Sequence, residues 1–524
     1  MGKIIETKIT RFDGGIATDP RDRKENKARM ISNFDALTNS KKLTPRRDLE
    51  TADSSASTSR KRNFALGVPD IGNDPEIFKL YALGVQSGLD TAEVLRKDIS
   101  VGVTSTDFDD ASWSSPTANQ SSAGTVAFEC FVYYKSSTTV GRVYLIERNS
   151  GTGPPYNRIG SFDPQGTAWS SAEGTLAVNA TNLAQGLVHS KDDILYIPYE
   201  NYIASKDGTN AFSMSALILP RDYYITSICE YGNYLAIACA PRNGFSNSRL
   251  YLWDRNSALS TIDDSIDLGS GVVKILEEVD GDLIAVSLKA DAINASNQEV
   301  VFDERVIFRI YSGGKMLKFM ELKAESTSTR LPIAKYKIDN RLYFLMGIDF
   351  NGSEVEGLWS VGRTSLGGPM ALFHEYTSAL NDSTLHNFTL VGDFFFFAHQ
   401  NSSGTFLVTK TADTASYSNN SIYESLIFDG GDSSLMKHLL GVTAMTAPMP
   451  TDGQIIMQYK VDAETSWTTI FTSTTNNAIS FSAVKAGGNF PSEYKEIQFR
   501  LVSTGGAEIT GFSFREEIIG KRPY

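Results

Sequence analysis

Residues that carry chemistry are scarce in this chain of 524 amino acids. Its three cysteines, Cys130, Cys229 and Cys239, each stand inside an apolar run. So sparse and odd a set behaves as small buried hydrophobes and excludes a disulfide framework or a zinc site built on thiolates. The five histidines are His189, His374, His386, His399 and His438. None has a metal-ligand spacing such as H-E-x-x-H or pairs with a cysteine or serine nucleophile motif, so each reads as structural and no cofactor or metal is expected. A glycine-rich phosphate loop is missing too. Apolar runs such as 394–398 are strand-sized, so no membrane segment is expected. The opening MGKIIETKITRF lacks the apolar core of a signal peptide, which fits assembly in a reducing cytosol.

What is present is abundant material for packed sheets, with 41% hydrophobic and 11% aromatic residues. The chain is too long for one ordinary core, and a propeller accommodates such length because each blade packs mainly on its neighbours. The net charge of −12 is unevenly spread: residues 1–62 hold 15 Lys/Arg against 9 Asp/Glu, and the remainder holds 34 against 52. A basic beginning on an acidic body reads either as a solvated tail or as an arm lying on the acidic flank of another copy or partner. Specific nucleic-acid binding is not expected, because the body repels phosphate and no basic stripe with interleaved aromatics occurs.

Between about 65 and 430 a theme recurs: a polar or glycine-containing turn, then a short aromatic and β-branched strand. The instances are Asp192-Asp193 before ILYI, Gly232-Asn233 before YLAIA, Gly281-Asp282 before LIAVS, Asp339-Asn340 before RLYFL and Gly392-Asp393 before FFFFA. Gly, Asn and Asp tolerate the positive φ of a tight hairpin. The second turn residues are spaced by 40, 49, 58 and 53 positions, the length of a four-stranded propeller blade with loops. Two further runs, 78–83 and Val126–Tyr134, extend the series to about seven repeats. Stacked sandwich domains are the competing architecture.

After Asp432 the pattern changes. Gln454–Val461 (QIIMQYKV) alternates apolar and polar residues, a turn at 462–466 leads to a strand carrying Trp467, and 496–503 and 507–519 follow. Period-two alternation buries one face of each strand, as in a small antiparallel, jelly-roll-like sandwich. The expected domains are therefore 1–62, an extended N-terminal arm and linker; 63–432, a β-propeller of about seven blades; and 433–524, a C-terminal β-sandwich, all of one all-β chain.

The arm reads FDGGIATDPRDRKENKARMISNFDALTNSKKLTPRRDLE over 12–50. Gly14 and Gly15 let the chain reverse after Phe12. Asp22 to Glu25 has the spacing of a capping box, and Ala28, Ile31, Phe34 and Leu37 recur every three residues, so a short helix is expected. Lys41, Lys42, Arg46 and Arg47 form the basic finish. Marginal alone, such a helix needs a surface to pack on. Residues 3–12 are also placed to close the propeller with an added strand. This segment, with the ending at Gly511–Tyr524, is similar to the N-terminal signature of β-propeller virion proteins of tailed bacteriophages, a resemblance confined to about the first fifty residues and the general plan of the rest.

That resemblance implies a structural, non-enzymatic tail or tail-end protein, assembled in the host cytoplasm into the virion. Its partners would be other copies of itself and neighbouring tail or portal-proximal proteins, contacted through Phe12, Gly14, Gly15, Ile31, Phe34, Leu37, Lys41, Lys42, Arg46 and Arg47 and, at the other end, Arg522 and Tyr524. A receptor- or glycan-binding virion module is the alternative. A propeller glycosidase is the third reading: Ser205-Lys206-Asp207-Gly208-Thr209 loosely resembles the Asp-box turn of sialidases, yet it occurs once and lacks the following tryptophan. Carboxylates at Asp107, Asp109 and Asp110 and at Asp263, Asp264 and Asp267 lack an EF-hand pattern and read as solvated loops.

Overall fold

The computed structural model describes the chain from Lys3 to Gly520, apart from 101–125 and shorter segments that include 68–76, 151–156, 163–168, 243–247, 294–298, 301–304 and 324–330; over 51–131 it describes backbone strands only. Every regular element among the described residues is a β-strand, and none is a helix long and apolar enough to cross a membrane. The chain forms two compact units. One comprises 1–49, 357–379 and 412–524, the other 50–356 and 380–411, so the sequence-based boundaries near 62 and 432 are replaced by a division in which the N-terminal segment joins the C-terminal strands.

The larger unit is a succession of small meander sheets, a β-propeller plan. Leu187–His189, Ile194–Tyr199, Tyr202–Asp207 and Ser213–Ile218 form one sheet in chain order, and Tyr223–Tyr231, Tyr234–Pro241, Ser248–Trp253 and Asp264–Gly269 form the next. The first strand of each sheet lies beside the first strand of the following one. Arg60–Gly67 neighbours Val126–Tyr134, and the series runs on through Leu187–His189, Tyr223–Tyr231, Val272–Val279, Lys335–Ile338 and Thr384–Val391 back to Arg60–Gly67. First strands therefore line the middle, and later strands lie progressively outward.

The predicted hairpin dipeptides sit where first strands turn into second strands. Positive φ angles occur at Asp193 (53°), Gly232 (60°), Asp339 (50°) and Gly392 (57°). One turn is displaced by a residue: Val279 pairs with Asp282, so the two-residue loop is Asp280-Gly281, at 54° and 81°. A Cβ at Gly232 or Gly392 would meet nothing within 4 Å; glycine serves there for its backbone freedom alone.

Closure of the ring differs from the expectation. Residues 3–12 do not supply the closing strand. Leu49–Ser57 does, as the outermost strand of the sheet Thr384–Val391, Phe394–Gln400, Phe406–Thr411. Lys410, with no exposed side-chain surface, ion-pairs with Glu50 across that seam.

His399 in the second strand of this sheet is buried, and among the described residues neither ring nitrogen has a hydrogen-bond partner. Burial pushes its pKa down to about 4. The unfolded chain thus takes up a proton near pH 6.5 that the folded chain refuses, so the contribution is fully present above that pH and is lost as pH falls toward 4. The expected cost at the acid end is at most about 3 kcal/mol. Urea denaturation of this unit between pH 7 and 4.5 checks it; His399→Leu should flatten the dependence.

In the smaller unit two sheets share one core. Lys3–Ile9, Ile509–Gly520, Met436–Thr446 and Ser480–Val484 form one sheet; Met370–Thr377, Ala28–Ser32, Ser421–Ser425, Ile497–Thr504, Gln454–Val461 and Thr468–Ser473 are neighbours in the other. Gln454–Val461 alternates strictly in burial: its inward Met457 and Tyr459 join Phe499 and Leu501 of one sheet and Phe512 and Phe514 of the other. The Phe499 and Phe514 ring centroids lie 4.8 Å apart. The helix expected after Asp22 is replaced by the fully buried strand Ala28–Ser32, because pairing with Ser421–Ser425 satisfies its backbone and buries both its faces.

Candidate functional site

The residues singled out in the N-terminal arm belong to the core of the smaller unit. Phe12, Ile31 and Phe34 have no exposed surface, and Phe12 meets the Tyr423 ring edge-on at 5.2 Å. Gly14 and Gly15 allow close backbone approach: a Cβ would lie 2.4 Å from the Asn26 carbonyl carbon at Gly14 and 2.9 Å from Leu372 O at Gly15, which has φ +72°. Lys42 pairs with Glu508 at 2.9 Å. Arg46 pairs with Glu375, Arg47 points Nη1 to Ala412 O at 3.5 Å, and Lys41 is exposed. Leu37, Arg522 and Tyr524 lie outside the described residues. The arm is thus ordered by burial against its own chain, where a neighbouring polypeptide was expected, because its apolar anchors share one core with the residues of the C-terminal strands.

The other motifs contribute little. Asp207 ends the strand Tyr202–Asp207 and Gly208 turns with φ 50°, so the Asp-box-like run is a strand end and turn. Asp264 and Asp267 accept from the nearby amides of Ser265 and Gly269 at 2.7 Å; Asp107, Asp109, Asp110 and Asp263 lie outside the described residues. Cys229 and Cys239 are free and buried, with thiol pKa values raised well above the usual range by burial.

What the structure assembles instead is a cleft at the middle of the larger unit. It measures about 300 Å³ and is lined by the first strands of neighbouring sheets, with Gln185, Leu187, Glu230, Glu277, Glu278, Lys335 and Lys337 among its residues. Lys335 and Lys337 lie two positions apart on one strand and point to one side. Lys335 Nζ pairs with Glu277 Oε2 at 2.8 Å, and Lys337 Nζ pairs with Glu278 Oε2 at 2.6 Å. Lys335 also donates to Ile228 O at 2.8 Å and to Leu276 O, so one ammonium ties together three adjacent inner strands. Its side chain is 12% exposed and that of Lys337 38%, so the former pair is the floor and the latter the rim.

Glu230 is held differently. Its carboxylate accepts from Ser190 N at 2.5 Å and Ser190 Oγ at 2.7 Å. The cleft therefore presents carboxylates from two adjacent strands, with the ammonium groups from a third. Among the described residues no group of three or more His, Cys, Asp or Glu is placed to hold a metal ion.

No linear motif announces these residues, since the carboxylates and ammonium groups come from three successive repeats. A signal exists all the same. Glu230, Glu278 and Lys337 are each the last residue but one of an inner strand, as the hairpin partners Tyr231–Tyr234, Val279–Asp282 and Ile338–Arg341 show. The charged residues at that point of three successive repeats line the cleft.

No family model matches the chain, and no curated protein matches it. Among solved structures it is similar to an exo-β-1,3-galactanase from Phanerochaete chrysosporium (8% identity, TM-score 0.32, covering 86% of this chain and 95% of that one). A glycoside hydrolase family 43 arabinoxylan arabinofuranohydrolase from Bacillus subtilis follows (10%, 0.27, 90% and 98%), as does a Trypanosoma rangeli sialidase mutant displaying trans-sialidase activity (8%, 0.31, 99% and 96%). These are enzymes acting on carbohydrate. The expectations of a tail structural protein and of a chain without enzymatic activity are corrected on this finding. At such identities and TM-scores the similarity assigns no substrate and no residue, and the case for a site rests on the cleft itself.

Proposed function

We propose that the chain is a carbohydrate-active propeller protein whose central cleft hydrolyses a glycosidic bond. The observation that carries this reading is the convergence of Glu230 with Glu277 and Glu278, from neighbouring inner strands, on one polar cleft. Glycoside hydrolysis asks for two carboxyl groups flanking the bond, one delivering a proton to the leaving oxygen and the other activating water or attacking the anomeric carbon. Glu230 is the one of the three with no cation among its described partners, Glu277 and Glu278 being paired with lysines, and it is assigned the acid. Glu277, fastened to Lys335, fits the carboxylate that faces developing positive charge on the sugar. We infer seven blades, on the support of the cyclic order of first strands from Arg60–Gly67 to Thr384–Val391, and read the smaller unit as a sandwich on the support of its two sheets around one core.

A panel of aryl glycosides, assayed with the full chain, tests the reading. Glu230→Gln is expected to lower kcat by about 10²–10⁴-fold with KM little changed, the loss of a general acid. A second reading, glycan binding without hydrolysis, is favoured by the engagement of all three carboxylates in hydrogen bonds or ion pairs. Oligosaccharide binding without turnover of any substrate selects that reading, and absence of both sinks the assignment of the cleft.

A further inference from the structure

The sheet holding Gln454–Val461 has an outer face as well as a core face, and that outer face is chemically organised. Glu424 stands opposite Arg500, Arg500 opposite Gln458, and Gln458 opposite Thr469, a continuous row across four strands. Arg500 donates through Nε to Glu424 Oε1 at 2.8 Å and through Nη2 to the same oxygen. Gln458 Nε2 donates to Thr469 Oγ1 at 3.2 Å. Beside the row, just ahead of Thr468–Ser473, stands Trp467. Its ring centroid lies 4.2 Å from the Arg500 guanidinium carbon and 4.8 Å from Lys460 Nζ.

Lys460 is the informative member. It is half-buried, and among the described residues no carboxylate stands within ion-pair distance of its ammonium. Burial lowers its pKa; Glu424 opposes that, and the positive charges of Arg500 and Arg29 add to it. The carboxylate in this field, Glu424, is already taken by Arg500. Its ammonium rests on the Trp467 ring, which offsets part of the cost of a partly desolvated cation beside two others; with no anion of its own, an external anion offsets the rest.

We propose that Lys460, Arg500 and Trp467 form a binding platform for an acidic saccharide, a uronic-acid oligosaccharide, on the outer face of the smaller unit. An anion held by Lys460 brings whatever carries it against the indole, and a pyranose presents a face of C–H groups suited to an aromatic ring. Gln458 and Thr469 supply amide and hydroxyl partners for ring hydroxyls. A neutral sugar gives Lys460 no anion, and a bare anion gives the indole no apolar face. The platform is separate from the central cleft and does not rest on the function proposed for it.

Calorimetric titration of the full chain with trigalacturonic acid, its methyl ester and acetate tests this. The acid is expected to bind, and the ester, the same trisaccharide with its carboxylates capped by methyl groups and so uncharged, to bind at least about tenfold more weakly. Lys460→Met should lose at least about tenfold in affinity for the acid while Lys460→Arg retains it. Trp467→Ala should weaken acid and ester alike, with circular dichroism confirming each fold. Glu230→Gln should leave this binding unchanged, separating it from the cleft. Equal binding of acid and ester, displacement by acetate at the same concentration as the trisaccharide, indifference to Lys460→Met, or no binding by the wild-type chain would each overturn the proposal.

Discussion

Phe12→Ala is expected to destabilise the smaller unit by about 3–5 kcal/mol, the usual cost of emptying a fully buried phenylalanine site. The ring lies among Ile31, Phe34, Tyr423 and Phe512, residues that are all buried, and it contributes an edge-to-face contact with Tyr423 besides its area. A domain stable by about 5–15 kcal/mol loses much of its margin in one substitution. Removal of residues 1–49 should go further and leave 412–524 unfolded, since Leu43 also pairs its backbone with Ile509 in both directions, at 2.8 and 3.1 Å. Denaturant unfolding followed by a probe in this unit measures the first, and limited proteolysis the second. Lys41→Ala, at an exposed position, is the control expected to stay within about 0.5 kcal/mol. A loss below about 1 kcal/mol for Phe12→Ala would show that the segment is an appendage after all.

Arg46→Ala should cost a similar amount, about 3–5 kcal/mol, by a different cause. The Glu375 side chain is 1% exposed and Arg46 is its ionic partner. Ser360 Oγ donates to the other carboxylate oxygen at 2.5 Å, and the guanidinium also lies 3.7 Å from Asp35 and 5.7 Å from the Tyr376 ring centroid. Truncating the arginine leaves the Glu375 carboxylate in the interior without this ionic partner. Replacing both partners together, Arg46→Met with Glu375→Leu, removes that stranded charge and should recover most of the loss. Denaturant melts of the single and double variants decide it; a double variant no better than the single one would mean that the pair shapes the packing rather than merely neutralising itself.

The propeller plan was legible in residues that act locally. Gly232, Asp339 and Gly392 have the positive φ that their turns need, and the alternation along Gln454–Val461 is the alternation of its burial. The short helix was misread because apolar residues at every third position of 28–37 also fit a strand buried on both faces followed by a turn. The closing strand was placed in residues 3–12, whose alternation instead matches Ile509–Gly520, residue against residue from Lys3 with Ile518 to Ile9 with Phe512. Alternation states which face of a strand is buried and carries no information on which strand lies beside it.

The charged residues of the cleft belong to the same class of problem. Glu230, Glu278 and Lys337 each look like an ordinary polar residue near the end of a strand. They acquire meaning when successive sheets are wound about one axis, and Lys335 then reaches Ile228 and Glu277 from 107 and 58 positions away in the chain. By itself the amino-acid order determined the strand content, the hairpin turns and the all-β class, since these depend on neighbouring residues and their periodicity. Which strand closes the ring, that the N-terminal segment is core, and which carboxylates share a cleft were decided by the tertiary structure alone, because pairing between distant strands is settled by the burial and backbone hydrogen bonding of the whole chain at once.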